Sequence, residues 1–346
     1  MVATLAYSEL SERGRQILKA VVQDYIKTAE PVGSRKVAKR CGLGLSAATI
    51  RNAMADLEDL GLLCQPHTSA GRIPTEYGLR YYIDFLLDKE PLSWGEQVAI
   101  EKGLMDSSVD MSGILKRAVQ ILAKISGHAA IISAPRLRGE PIRHVEFVRV
   151  KAGLVLMICV LSSGLVQNRL ISIEHDLDEQ TLARLSSYLN AKLGSDGLDR
   201  ARDGIVKDME EDRRVFESLW EEIFSGRIEE ADEGEIYIGG QVNLLDEPEF
   251  SNVDRMRALL RAFEEKELLL SLLDRCTGGQ GIQIFIGSQG LDVGTIGCGL
   301  VLAPYLGPEE PIGSLGVVGP IRMNYARVMA LVDYTAQVLS DRVNES

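Results

Sequence analysis

Residues 31–61 leave the backbone few options. Upstream of them, Ile17, Leu18, Val21, Val22 and Tyr25 recur at three-to-four-residue spacing and predict an amphipathic helix from about Glu9 to Thr28. Pro31 and Gly33 break that helix, and Ser34 stands as the N-cap of a short helix through Cys41. Gly42 and Gly44 then enforce a turn. Ser46 caps a third helix in which Ile50, Ala53, Leu57 and Leu60 share one face, and Gly61 closes it. Two helices joined by a tight glycine-containing turn make a helix-turn-helix, a motif whose second helix enters the major groove of DNA.

With the apolar face turned inward, Ala47, Ala48, Arg51, Asn52 and Ala55 are left facing outward. Small residues permit close approach to the groove floor, while Thr49, Arg51 and Asn52 supply hydrogen bonds to bases or phosphates. Ser46 and Ala47, at the entry to this helix, complete the candidate face, and Ser34, Arg35 and Lys36 are candidate phosphate contacts. After Gly61 the chain reads as a short strand, Leu62 to Gln65, a polar turn, Pro66 to Gly71, and a return through Arg72-Ile73-Pro74. Strand, turn and return strand directly after a recognition helix make the wing of a winged helix. His67, Thr68, Ser69 and Arg72 are its candidate phosphate or minor-groove contacts.

Charge supports that placement only when it is resolved along the chain. The total is −12, which as an average argues against nucleic acid. Residues 1–89, however, hold 12 basic and 10 acidic side chains, and residues 90–346 hold 26 and 40. No acid occurs between Glu30 and Asp56, a stretch that contains Arg35, Lys36, Lys39, Arg40 and Arg51. The cationic face therefore coincides with the helix-turn-helix.

Other chemistries find little purchase. The N-terminal segment MVATLAYSEL has no secretory pattern, and the longest apolar run, Leu154 to Leu161, is far below the roughly 20 residues of a membrane helix. Cys41, Cys64, Cys159, Cys276 and Cys298 form no CxxC pair and read as free thiols of a cytoplasmic protein. His67, His128, His144 and His175 share no metal-ligand spacing, so neither metal nor cofactor is expected. Gly278-Gly279-Gln280-Gly281 precedes a strand, the reverse of a dinucleotide loop, and Gly287-Ser288-Gln289-Gly290 lacks the lysine of a phosphate loop. No GxSxG elbow occurs, and His144 with Glu146 is too little for a catalytic constellation, so no enzyme is expected.

Past the wing, Thr75 to Leu87 predicts a helix with Tyr77, Tyr81, Tyr82 and Phe85 as a core-facing aromatic stripe. Helical spacing returns over Ile100 to Ser126. Ile142 to Val150, Leu154 to Leu161 and Val166 to Ile173 are β-branched runs with short glycine-containing links, hence hairpins. Helices follow at Leu177 to Leu193 and Leu198 to Phe224, then a strand at Glu235 to Ile238 and a long helix from Val253 to Leu273. Strands at Ile282 to Ile286, Gly297 to Ala303 and Gly313 to Val318 precede a closing helix, Arg322 to Leu339. The pattern is α+β, with strands 142–173 and 282–318 expected in one sheet and a helical insertion at 176–232. Leu185, Tyr188, Leu189, Phe216, Leu219 and Trp220 are candidate dimer-interface residues, with packing inside their own domain as the alternative.

The segments PVGSRKVA (Pro31 to Ala38), SAATIRNAMADLEDLGLL (Ser46 to Leu63), PHTSAGRIPTEYGLRYYID (Pro66 to Asp84) and GPIRMNYARVMALVDY (Gly319 to Tyr334) resemble the heat-inducible transcription repressor HrcA family. The chain departs from that family's habits at Ser288-Gln289-Gly290, Ile321 and Asn324. The resemblance implies a winged-helix domain over 1–90, a GAF-like domain over 91–175 and 233–346, and an inserted dimerisation domain over 176–232. It further implies a homodimer on an inverted-repeat operator of double-stranded DNA, the CIRCE element, repressing chaperone operons with the GroEL chaperonin maintaining active repressor. The rival reading is a winged-helix repressor that senses a small molecule in its GAF-like domain, with Cys159 and Cys298 lining the pocket.

Overall fold

The computed structural model describes residues 10–41, 44–67, 70–88, 90–105, 111–135, 142–161, 166–172, 177–196, 235–277, 281–287, 297–307 and 311–344. α1 (Glu12–Thr28) begins on Ser11, whose Oγ accepts from the Gly14 N–H at 3.2 Å, and ends on Ala29 in the left-handed region. α2 is Ser34–Cys41 and α3 is Ala47–Asp59. Gly61, at φ +72°, reverses the chain into β1 (Leu63–Cys64), which pairs antiparallel with β2 (Ile73–Pro74). Ile17, Val21, Ile50, Met54, Leu57 and Leu63 are fully buried and form the core of this head. Truncating one such side chain, Ile50 to Ala, costs about 2–5 kcal/mol.

Local details depart from the sequence reading. Gly33, not Ser34, precedes α2, since its carbonyl accepts the N–H groups of Lys36 and Val37 and Ser34 lies within the first turn. Leu60 is 60% exposed because α3 stops at Asp59, and Met54 fills the core instead. α4 is only Glu76–Tyr81, continued by a wider π-helical turn over Tyr82–Leu86. Tyr81 and Tyr82 are buried, but Tyr77 and Phe85 are exposed, so the aromatic stripe is split.

The second unit is built on a five-stranded antiparallel sheet in the order β7-β3-β10-β9-β8. Its strands are β3 (Ala129–Ser133), β7 (Ile236–Gly239), β8 (Gln283–Ile286), β9 (Cys298–Leu306) and β10 (Pro311–Pro320). Side chains alternate between two buried faces. Ala130, Ile132, Val301, Ala303, Leu315 and Val317 pack with α5 (Trp94–Leu104), α6 (Met111–Ser126) and the C-terminal helix, here α10 (Tyr325–Asn344). Ile131, Leu300, Leu302 and Val318 pack against α8 (Val253–Glu264) and α9 (Lys266–Thr277). Helices on both sides of the sheet give the expected α+β, GAF-like architecture. The predicted continuous helices over 100–126 and 253–273 are each two helices, the second pair separated at Glu265.

The single sheet expected from strands 142–173 and 282–318 does not form. β4 (Ile142–Lys151), β5 (Leu154–Leu161) and β6 (Val166–Ser172) make their own antiparallel sheet, covered by α7 (Glu179–Asp196). The Asn190 side chain accepts from the Val145 N–H at 2.7 Å and donates to its carbonyl at 2.8 Å, and Ser186 Oγ accepts from the Phe147 N–H at 3.0 Å. These bonds occupy polar groups of edge strand β4. β3 pairs directly with β7, so the chain leaves the five-stranded sheet after Ser133 and re-enters it beside the strand it left. β3, a short segment after a long helix, was not anticipated from sequence.

Thr75 fastens the wing to α4: its Oγ1 donates to the Gly61 carbonyl at 2.6 Å and accepts from the Gly78 N–H at 3.0 Å. A Cβ at Gly78 would sit 2.0 Å from the Leu62 carbonyl oxygen, with no flexible side chain to yield. Gly78→Ala is therefore expected to destabilise the head by about 1–3 kcal/mol, read as a lower urea midpoint.

Candidate nucleic-acid interface

The cap of α3 organises the face. Ser46 Oγ accepts from the Thr49 N–H at 3.1 Å and shares a 2.8 Å hydrogen bond with Thr49 Oγ1. The two hydroxyls therefore hold each other at the entry to the helix. Ala47 is half-buried and Ala48 exposed, leaving a shallow surface beside the helix N-terminus, where free N–H groups and the macrodipole favour phosphate. One turn on, Arg51 and Asn52 are exposed and bond to none of the described residues. Ile50, Ala53, Met54 and Leu57 fix the opposite side in the core, so α3 cannot roll without exposing them.

α2 adds Arg35, exposed, with Lys39 exposed one turn later on the same face. In the sequence the only signal for Lys39 is its place in the acid-free run. Lys36 behaves differently: its Nζ is 2.7 Å from Asp24 Oδ2 on α1, and the Asp24 side chain is only 5% exposed. A buried carboxylate requires that partner, so Lys36 is chiefly the counter-charge of Asp24.

Arg72 is not at the tip of the wing. Val32 and Arg72 exchange backbone hydrogen bonds of 2.9 and 3.0 Å, while the Arg72 guanidinium lies 2.7 Å from Glu58 Oε2 with its side chain 16% exposed. It buttresses the wing against α3. The tip itself carries exposed His67, whose carbonyl accepts from the Ala70 N–H at 2.9 Å, and Gln65, whose amide donates to the Ala70 carbonyl at 2.9 Å. Gln65 was not anticipated as part of the turn. Thr68 and Ser69 lie outside the described residues. On α2 and α3, Arg35, Ser46, Arg51 and Asn52 are exposed and Ser34 and Thr49 half-buried, while Lys36 and Arg72 are drawn into ion pairs of the framework.

A three-helix head with a wing, whose helix-turn-helix leaves Arg35, Lys39 and Arg51 exposed, defines a winged-helix transcription regulator. Residues 9–81 match the family model described as "Winged helix-turn-helix transcription repressor, HrcA DNA-binding", and residues 112–329 match "HrcA protein C terminal domain". The chain belongs to the HrcA family of heat-inducible transcription repressors. The repressor of Geobacter sulfurreducens is 42% identical over 96% of this chain and 98% of its own, and that of Syntrophobacter fumaroxidans 38% identical over 98% and 99%. A crystal structure of a hypothetical protein at 2.2 Å resolution superposes with a TM-score of 0.66 and 26% identity, covering 97% of this chain and 99% of that one. Among the described residues no helix is long and apolar enough to cross a membrane.

Arg51→Ala is expected to weaken binding to a specific operator by about 1–3 kcal/mol and to relax base preference there, measured by competition against scrambled duplexes. Arg35→Ala should instead weaken all sequences alike and lower the salt slope by about one. Lys36→Ala should act on stability, costing about 1–3 kcal/mol, and Asp24→Asn in the same chain should recover most of it.

Proposed function

We propose that this protein represses heat-shock chaperone operons by binding, as a homodimer, an inverted-repeat operator of the CIRCE type. GroEL would maintain the active repressor, and heat stress would deplete it. The observation that carries the reading is the exposure of Arg51 and Asn52 on α3, within a stretch free of acids from residue 31 to residue 55, on a head of the HrcA type. Two heads related by a two-fold axis read two half-sites, which explains an inverted repeat. Loss of activity on heating asks little of the fold, because about 1–2 kcal/mol of stability changes abundance several-fold.

The dimer contact is assigned to the inserted unit, whose limits we place at 134–235, wider than 176–232, because β4–β6 belong with α7. Leu185 and Leu189 are buried within that unit and serve its own packing. Tyr188's side chain and residues Phe216, Leu219 and Trp220 lie outside the described residues. The sheet face opposite α7 leaves Val148, Val166 and Leu170 exposed, which supports an interface there.

The ligand-sensing alternative has weaker support. Cys298 does line a pocket with Leu259, Phe263, Phe285 and Leu300, but that pocket encloses only about 30 Å³ and its walls are almost wholly apolar. Cys159 lies on the other sheet. Burial raises the Cys159 and Cys276 thiols to about 11 and, with Glu249 nearby, the Cys298 thiol to about 12. A raised pKa keeps a thiol protonated, so all three should resist disulfide reagents at pH 8 until the protein is unfolded. Rapid native labelling of Cys298 would contradict the closed pocket.

The decisive experiment is a footprint on a chaperone-operon promoter together with the mass of the protein in solution. Two protected half-sites in inverted orientation and a dimer mass are expected. Equal affinity for operator and scrambled DNA, or release by one metabolite at ordinary temperature, would defeat the proposal.

A further inference from the structure

The C-terminal segment Gly319 to Tyr334, singled out in the sequence, lies far from the α3 face, yet it is where the second unit holds the head. Arg322 is nearly buried, its Nε 2.5 Å from Glu249 Oε1 and its Nη2 2.7 Å from Glu247 Oε2 and 3.2 Å from Glu249 Oε2. These two carboxylates aim the remaining Nη1 across the domain boundary, where it donates to the Ile26 carbonyl at 3.2 Å. Ile26 belongs to the last turn of α1, whose carbonyls lack helical partners and favour a cation. Asn324 adds a 3.0 Å hydrogen bond to Glu90 of the connecting segment, and Arg327 pairs with Glu96 at the start of α5.

A second tie comes from α4. Arg80 on α4 donates from Nη1 to the Ile284 carbonyl of edge strand β8 at 2.8 Å and pairs with Asp84 through Nε. Beside the Arg322 tie is a cleft of about 570 Å³ walled by Gln23, Lys27, Tyr82, His128 and Arg322. One apolar cluster joins head residues such as Leu18, Tyr82 and Ile83 to Met323 and Tyr325 of the second unit, but apolar packing is non-directional, so the orientation beside this cleft is set by specific bonds. Among the described residues, Arg322 and Arg80 supply such bonds across the boundary.

We propose that Arg322 is a positioning residue for operator recognition: it fixes the head on the GAF-like unit in the orientation that sets the distance between the two recognition helices of a dimer. The inference rests on the inverted-repeat reading above. Half-sites are read one helical turn apart or at multiples of it, so the distance between heads must be held to a fraction of a turn. Heads swinging on residues 88–93 would engage any spacing and would lose the gain of simultaneous binding that a fixed geometry provides. The docked head keeps Ser46, Ala48, Arg51 and Asn52 exposed, so docking leaves its reading face available.

The test uses the full chain and three duplexes: the footprinted inverted repeat, the same repeat with its spacer lengthened by about five base pairs, half a turn, and a single half-site. The wild type should lose at least about tenfold on the lengthened spacer. Arg322→Ala should bring the two spacings to within about twofold of each other by losing affinity for the native one, while half-site affinity stays unchanged, which a merely structural role would not produce. Because Arg322→Ala leaves Glu247 and Glu249 facing each other, its folding is checked by circular dichroism. Arg80→Gln, which leaves that cluster intact, should reduce spacing selectivity in the same direction and decides the matter if Arg322→Ala does not fold. Retained wild-type selectivity in a folded variant, tighter binding to the native repeat, or a wild type indifferent to spacing would each overturn the inference. A wild type indifferent to sequence would instead overturn the function on which it rests.

Discussion

The head depends on one cross-connection. Val32, between α1 and α2, and Arg72, at the return of the wing, exchange both backbone hydrogen bonds, and the Arg72 side chain continues to Glu58 near the end of α3. Three segments that have no local reason to meet are tied at one residue. Gly71 is part of that arrangement, since a Cβ there would lie 2.5 Å from the Val32 backbone. Without the bridge the wing would be a two-residue ribbon, too short to hold its own register. With it, the angle between α3 and the wing is fixed, and so is the separation of any groove contact from any flanking phosphate contact.

That framework consumes charge. Lys19, Lys36, Arg72 and Arg80 are paired with Asp88, Asp24, Glu58 and Asp84, respectively. Within the acid-free stretch, Arg35, Lys39 and Arg51 are left exposed, and the side chain of Arg40 lies outside the described residues. The distribution of charge therefore locates the face, but the count of basic residues overstates its strength. At about 0.9 of a unit of salt slope per neutralised phosphate, a head with few free cations binds DNA weakly on its own.

What was legible in the sequence was local. The turns at Gly44 and Gly61, the Ser46 cap and the buried positions 50, 53 and 57 follow from short-range stereochemistry and recur in the structure, while Gly42 lies outside the described residues. The ion pairs of Lys36 and Arg72 were not legible because their partners, Asp24 and Glu58, lie on other elements, and an exposed-looking cation in sequence carries no mark of a tertiary ion pair. The merged sheet had the same origin. β-branched runs announce strands but not their neighbours, and the pairing of β3 with β7 spans a hundred-residue excursion that no periodicity encodes. β9 and β10 are buried on both faces, so the alternation that would have assigned each strand to a face was absent.

In the proposed dimer, the topology would also let weak heads act as a selective pair. The inserted unit departs and returns at β3 and β7, at one edge of the five-stranded sheet, and the head is tied through Arg80 to β8 at the opposite edge. At about 4.8 Å per strand, the two attachments are separated by about 19 Å of sheet buried on both sides. A sheet packed at interior density does not deform continuously, so it behaves as a rigid spacer. Any two-fold contact made by the inserted unit is then carried to the heads as a fixed separation, provided that the polar ties hold. Heads with few phosphate contacts gain most from such a spacer, because their affinity comes from binding twice.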